Sequence, residues 1–145
     1  HQRYPEAEIL IYLTTRAPEP WLTSAYWEHV QSSDMTMGLD GFCARYAGAA
    51  DLSGMVDEIA SRVPCPVHSA ALEACCDLPR GPADPLLDLC DLPQALRAQL
   101  VAQPPANTRL PGPVLEAVLK ANQTCPDKAT RDTAKQAILA TVPTP

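Results

Sequence analysis

The segment DLSGMVDEIASRV (51–63), PCP (64–66) and VHSAALEACC (67–76) decides how the chain is read. In its first part Leu52, Met55, Val56, Ile59, Ala60 and Val63 recur every three or four residues, the spacing of one helix face. Asp51 stands where a short acidic side chain caps a helix start, and Pro64 ends the run. Pro66 then occupies a first-turn position, where a missing amide costs nothing. Val67, Ala70, Ala71, Ala74 and Cys75 repeat the helical spacing and predict a second helix that stops near Leu78, before Pro79.

Outward from this segment the same pattern recurs, cut short by sixteen prolines. Pro20 opens a helix through Trp21, Leu22, Ala25, Tyr26, His29 and Val30. Asp40 to Tyr46 adds a turn or two, and Asp84-Pro85 starts a short turn carrying Leu86, Leu87 and Cys90. Asp91, with Gln94 three residues on, resembles a capping box for a helix with Leu92, Leu96, Leu100 and Val101. Residues 103–113 hold four prolines and read as an exposed, extended connection. A helix with Val114, Leu115, Val118 and Leu119 follows. The last starts at Thr124, with Asp127 completing the cap, and runs to about Val142. Glu8 to Thr14 is too short for periodicity to choose between buried strand and helix. A lone strand there would expose an edge able to pair across a two-fold axis, which makes a homodimer through the N-terminal segment one expectation.

The fold class that emerges is all-α: one domain over residues 1–145, an irregular bundle of roughly six to seven short helices, with room for a short N-terminal strand. Hydrophobic residues make up 46% and charged residues 19%, a globular composition. The longest apolar run, Ile9–Leu13, is five residues, far from the roughly 18 that cross a bilayer.

Six cysteines stand out: Cys43, Cys65, Cys75, Cys76, Cys90 and Cys125. Structural zinc favours pairs such as C-x-x-C, and no such spacing occurs; an even count in a small chain reads better as a disulfide framework. Each such cross-link contributes about 3–4 kcal/mol in the chain-entropy model, a large share of the roughly 5–15 kcal/mol that keeps a domain folded. Cys75 and Cys76 point about 100° apart on a helix and would staple it to two neighbours rather than to each other. The connectivity is not deducible from sequence. Asn122-Gln123-Thr124 is an acceptor triplet for an N-linked glycan. With the cysteines and a first residue, His1, that fits removal of a leader, it predicts an extracellular glycoprotein.

The adjacent cysteines invite comparison with secreted phospholipase A2, but Asp77-Leu78-Pro79 follows them instead of that family's histidine. The opening cysteine pattern of saposins and the C-x-C of lipid-transfer proteins are also missing, so no family is assigned. No nucleophile elbow, phosphate loop, dinucleotide fingerprint or zinc-protease motif occurs, and no catalytic residue, cofactor or metal is expected. Asp84, Asp88 and Asp91 lack the alternating ligands and the glycine of a calcium loop, and Asp84 and Asp91 read as caps. An N-terminal copper site on His1 with His29 or His68 has only position in its favour. Trp21, Tyr26 and Trp27 read as a core-facing cluster.

Residues 1–91 carry fourteen acids and five arginines, net −9, whereas residues 92–145 carry three acids and six bases, net +3. The acidic total argues against nucleic acid as a partner. A secreted, non-enzymatic protein that binds another protein or a cell surface is the expected function. The alternatives are an antimicrobial host-defence protein acting through its basic C-terminal helices, and a carrier of a small apolar ligand in an interhelical cavity.

Overall fold

The run that periodicity left open is a strand: β1 spans Ile11–Thr15. Its partner is β2, Val67–Ala71, and the two pair in parallel from Ile11 beside Val67 to Thr15 beside Ala71. This corrects the reading of the decisive segment, where a helix was expected from Val67. The helix begins only at Leu72, and α4 is a single turn, Leu72–Cys75. Pro64 and Pro66 hold the residues before them extended. The Ile11 amide donates to the Pro66 carbonyl at 2.9 Å, so the ladder is already engaged where the helix would have started. His68 and Ser69 are weak helix formers, and tertiary pairing outweighs the alanines. β1 thus has its partner in its own chain and is not the lone strand from which the homodimer was expected.

The computed structural model describes residues 6–101 and 110–142, so most of the proline-rich connection lies outside it. Parallel strands need a long crossover. Here it comprises α1 (Pro18–Ser32), α2 (Leu39–Tyr46), a 3-10 turn (Ala47–Ala50) and α3 (Leu52–Arg62), the last lying against both strands. Asp51 caps α3 as expected, accepting from the Gly54 amide at 2.9 Å. After α4 come α5 (Ala83–Leu89), α6 (Gln94–Arg97), α7 (Gly112–Thr124) and α8 (Lys128–Leu139). The helix expected from Asp91 shrinks to one turn, because Asp91 takes φ 46° just beyond α5 and no longer occupies a cap position. Thr124 closes α7 rather than opening α8, which Asp127 caps by accepting from the Thr130 amide at 2.9 Å. The chain is thus mostly helical with one short parallel sheet.

Contacts gather in two units, the first His1–Pro18 with Ala49–Pro104, the second Glu19–Gly48 with Pro105–Pro145. The second unit holds the better core. Leu22, Tyr26 and Val30, spaced by four on α1, are buried, as are Phe42, Leu115, Val118 and Ala121. The Phe42 ring lies 5.5 Å from that of Tyr26 and 4.6 Å from that of Tyr46, distances typical of favourable aromatic pairs.

A polar clasp closes this core where α1 ends. The last carbonyls of a helix lack partners within it, and Val30 is completely buried. Its carbonyl accepts from Asn122 Nδ2 at 3.0 Å and from Lys135 Nζ at 3.1 Å. The same Nδ2 also donates to the Met35 carbonyl at 2.9 Å, and the same ammonium to the Ser33 carbonyl at 2.7 Å. Gln123 Nε2 adds a bond to the Thr36 carbonyl at 2.8 Å. Asn122 and Lys135 are only 4% and 7% exposed. An ammonium at a helix C-terminus is further favoured by the helix dipole.

This arrangement bears on the glycan expected at Asn122. Both amide hydrogens are already donated to backbone carbonyls, and a sugar on Nδ2 would displace one of them and need room at a side chain that is buried. The two uses of one nitrogen exclude each other. Intact-mass analysis of folded protein made in a secretory host is therefore expected to show Asn122 unmodified. Asn122→Ala leaves the Met35 carbonyl without its donor and weakens the hold on Val30, and should lower stability by about 1–3 kcal/mol in denaturant titration.

Burial, and next the neighbouring Arg131, hold the Lys135 ammonium below its usual pKa, with Asp132 and Asp34 opposing. In the alkaline window between its folded value and the ordinary one near about 10.4, the unfolded chain binds more protons, so this group makes stability rise with pH. Tyr26, raised by its burial, acts in the opposite sense above its own ordinary range. Lys135→Met, which keeps the apolar stem, isolates the lysine: the variant should lack the alkaline gain that the parent shows in pH-dependent denaturation.

Candidate interaction surface

Burial in the first unit is sparse. Among the described residues only Ala50, Cys75 and Asp84 are buried there. The same unit exposes Ile9, Met55, Leu78, Leu86, Leu96, Leu100 and Val101, the last 80% exposed, whereas the second exposes one large apolar residue, Leu39.

An ionic network substitutes for apolar packing among the elements that carry these side chains. Asp84, in the first turn of α5, accepts from the Arg80 amide at 2.9 Å and from its guanidinium at 3.4 Å. Arg97 of α6 donates to the Asp84 carboxylate and to its carbonyl, each at 3.2 Å, and forks onto the Asp88 carboxylate. Arg80 in turn donates to the Arg97 carbonyl at 2.6 Å. Two guanidiniums, whose planar forks suit such multiple bonding, thereby fix α6 to α5 and to the turn before it. Leu78, Leu86 and Leu96 sit on these tied elements, and Leu100 and Val101 follow directly. The Arg80 amide, then the two guanidiniums, hold the Asp84 carboxyl below the usual carboxylate range against the opposing effect of burial.

The net charge of the first unit is negative. The first unit has ten acids and five arginines. Four of those arginines are committed: Arg16 to Glu73, Arg62 to Glu58, and Arg80 and Arg97 to Asp84 and Asp88. Asp57, Asp77 and Asp91 stay exposed.

The six cysteines are free thiols in the structure, so the cross-links expected between helices are not formed there. Cys65, Cys75, Cys76 and Cys90 belong to the first unit, Cys43 and Cys125 to the second. Cys75 and Cys76 face different ways, as helical spacing requires: the first is buried, the second exposed with its Sγ 3.1 Å from the Leu72 carbonyl. Asp84, expected as a cap, lies inside the first turn of α5 instead, and its carboxylate and that of Asp88 both pair with arginine. No group of three or more metal-binding side chains occurs among the described residues. His29 and His68 are exposed, and His1 lies outside the described residues. Of the aromatic cluster, Tyr26 is buried and Trp21 and Trp27 are half-buried. The network itself was missed. The i, i+4 spacing of Arg80 and Asp84 was its visible trace, but Arg97 arrives from a separate turn that spacing does not link to it.

No family model, curated protein or solved structure matches the chain.

Because its folded pKa is lowered, Asp84 stabilises the network fully above the ordinary aspartate range, and that contribution is lost as pH falls through the folded value. The Arg80 amide proton, followed by NMR, should report this as an acid transition lying below those of exposed aspartates. Asp84→Asn should abolish the transition.

Proposed function

We propose that the chain is a secreted, non-enzymatic binding protein whose first unit takes up a basic protein surface with an apolar centre. The observation that carries this reading is the exposure of Leu78, Leu86 and Leu96 on elements tied together by arginine–aspartate pairs, with Leu100 and Val101 exposed shortly after them, in a unit with surplus carboxylates. Exposed apolar side chains in a unit of one net charge suit association with a partner of opposite charge: burial supplies affinity, and the charges steer encounter and select the partner. Rigidity helps too, since side chains already ordered lose little entropy on binding.

Export is supported by the even number of cysteines and by the place of four of them in the unit with few buried side chains, where a covalent clamp adds most. On this reading the free thiols are the reduced form of cysteines that pair in an oxidising compartment. Peptide mapping of exported protein without reductant should find no free thiol; six titratable thiols would overturn the export half.

The binding half is tested with a designed amphipathic helix of lysine and leucine against its glutamate–leucine counterpart. The cationic peptide should bind the full chain, weaken as salt rises, and lose at least tenfold in affinity on Leu96→Asp with Val101→Asp. Equal binding of the two peptides, or indifference to the substitutions, would overturn it. Lipid retained on the native protein in mass spectrometry would point to the carrier role instead.

A further inference from the structure

A cavity of about 450 Å³ lies in the second unit, where α1 ends against α8. Ser32, Ser33 and Asp34 line one side, and Lys128, Arg131 and Lys135 the other. The three cations fall on successive turns of one helix face. Two of them occupy the first turn of α8, where a positive charge opposes the helix dipole. Such a placement works against helix stability.

The partners of these side chains sharpen the point. Lys135 is consumed by the carbonyls of Val30 and Ser33. Lys128 and Arg131 make no ion pair or side-chain hydrogen bond among the described residues, although Asp34 and Asp132 line the same cavity. Arg131, half-buried, stands close enough to the buried Lys135 ammonium to disfavour its charge. Asp132 and Asp34 offset part of that repulsion, and an anion held by Arg131 and Lys128 would offset more of it. Gln31 and Gln136 add amides with no bonds of their own among the described residues, and the Ser32 and Ser33 hydroxyls are already donated to the Glu28 and His29 carbonyls.

We propose that this cavity binds a small organic oxyanion bearing hydroxyl groups, with Arg131 and Lys128 holding the anionic group and Asp34 and Asp132 accepting from the hydroxyls. A guanidinium fork matches both phosphate and carboxylate. The volume lies within the roughly 300–1,000 Å³ of small-molecule sites, and it leaves room beyond the anionic group for the hydroxylated body. The site is separate from the acidic, apolar surface of the first unit and does not depend on that reading.

The test is an NMR titration of the full chain with glucose 6-phosphate, citrate, inorganic phosphate and glucose, each at matched ionic strength. Glucose 6-phosphate or citrate should give saturating shifts in residues 31–34 and along α8, with inorganic phosphate weaker and glucose silent. Saturation by the sugar phosphate alone assigns a phosphate ester, by citrate alone a carboxylate, and either supports the site. Arg131→Gln should weaken binding at least tenfold and Lys128→Gln several-fold, with spectral dispersion unchanged. Lys128 is exposed, so its variant decides the matter if Arg131→Gln does not fold. Shifts that follow ionic strength alone, unchanged binding in the variants, or no saturation by either organic anion would overturn the assignment.

Discussion

The buried carbonyl of Val30 is the constraint on which the second unit depends. α1 must stop inside the protein rather than at its surface, because Leu22, Tyr26 and Val30 carry its apolar face into the core up to its last turn. A helix end in that position leaves acceptors that water does not reach, and each unmet acceptor costs about 1–3 kcal/mol. Asn122 and Lys135 meet that demand from two other helices. The clasp therefore does more than satisfy a carbonyl. It sets the register of α7 and α8 against the end of α1, since neither side chain reaches Val30 from a position one turn away.

The first unit solves the same problem by other means. Its helices are short, and its apolar side chains are mostly half-covered, so burial alone gives little direction to their packing. Geometry comes instead from directional bonds: the parallel ladder of β1 with β2, and the arginine forks on Asp84 and Asp88. Partly exposed ion pairs add modest energy singly. Here they share one carboxylate and also bond backbone carbonyls, so each partner is already ordered when the next bond forms. A unit built this way keeps its shape while leaving apolar side chains outside.

How far the sequence foretold these arrangements depended on how local their causes are. α1 and α3, and the core stripe Leu22–Tyr26–Val30, followed from spacing and from the Asp51 cap, which act within a few residues. β2 was misread because Val67–Ala71 carries a helical spacing that only a partner more than fifty residues away overrides. α6 was overextended because nothing local shows that Asp91 adopts a left-handed backbone. Of the apolar side chains on the candidate surface, only Leu96, Leu100 and Val101 fall on the helix face expected from Asp91. Their exposure follows from the collapse of that helix to a single turn.

The polar residues show the same division more sharply, and it governs where function is to be sought. Asn122 has the sequence of a glycan acceptor and Lys135 that of a solvated cation, yet both are spent on backbone carbonyls. Asp84 and Asp88 have the look of a cation site and are spent on arginine. A buried polar group claimed by the fold is costly to lend to a ligand, because lending it leaves an unpaired partner behind. Side chains left unclaimed carry no such penalty. Among the described residues these include Lys128 and Arg131 beside the end of α1 in the second unit, and exposed carboxylates and leucines in the first.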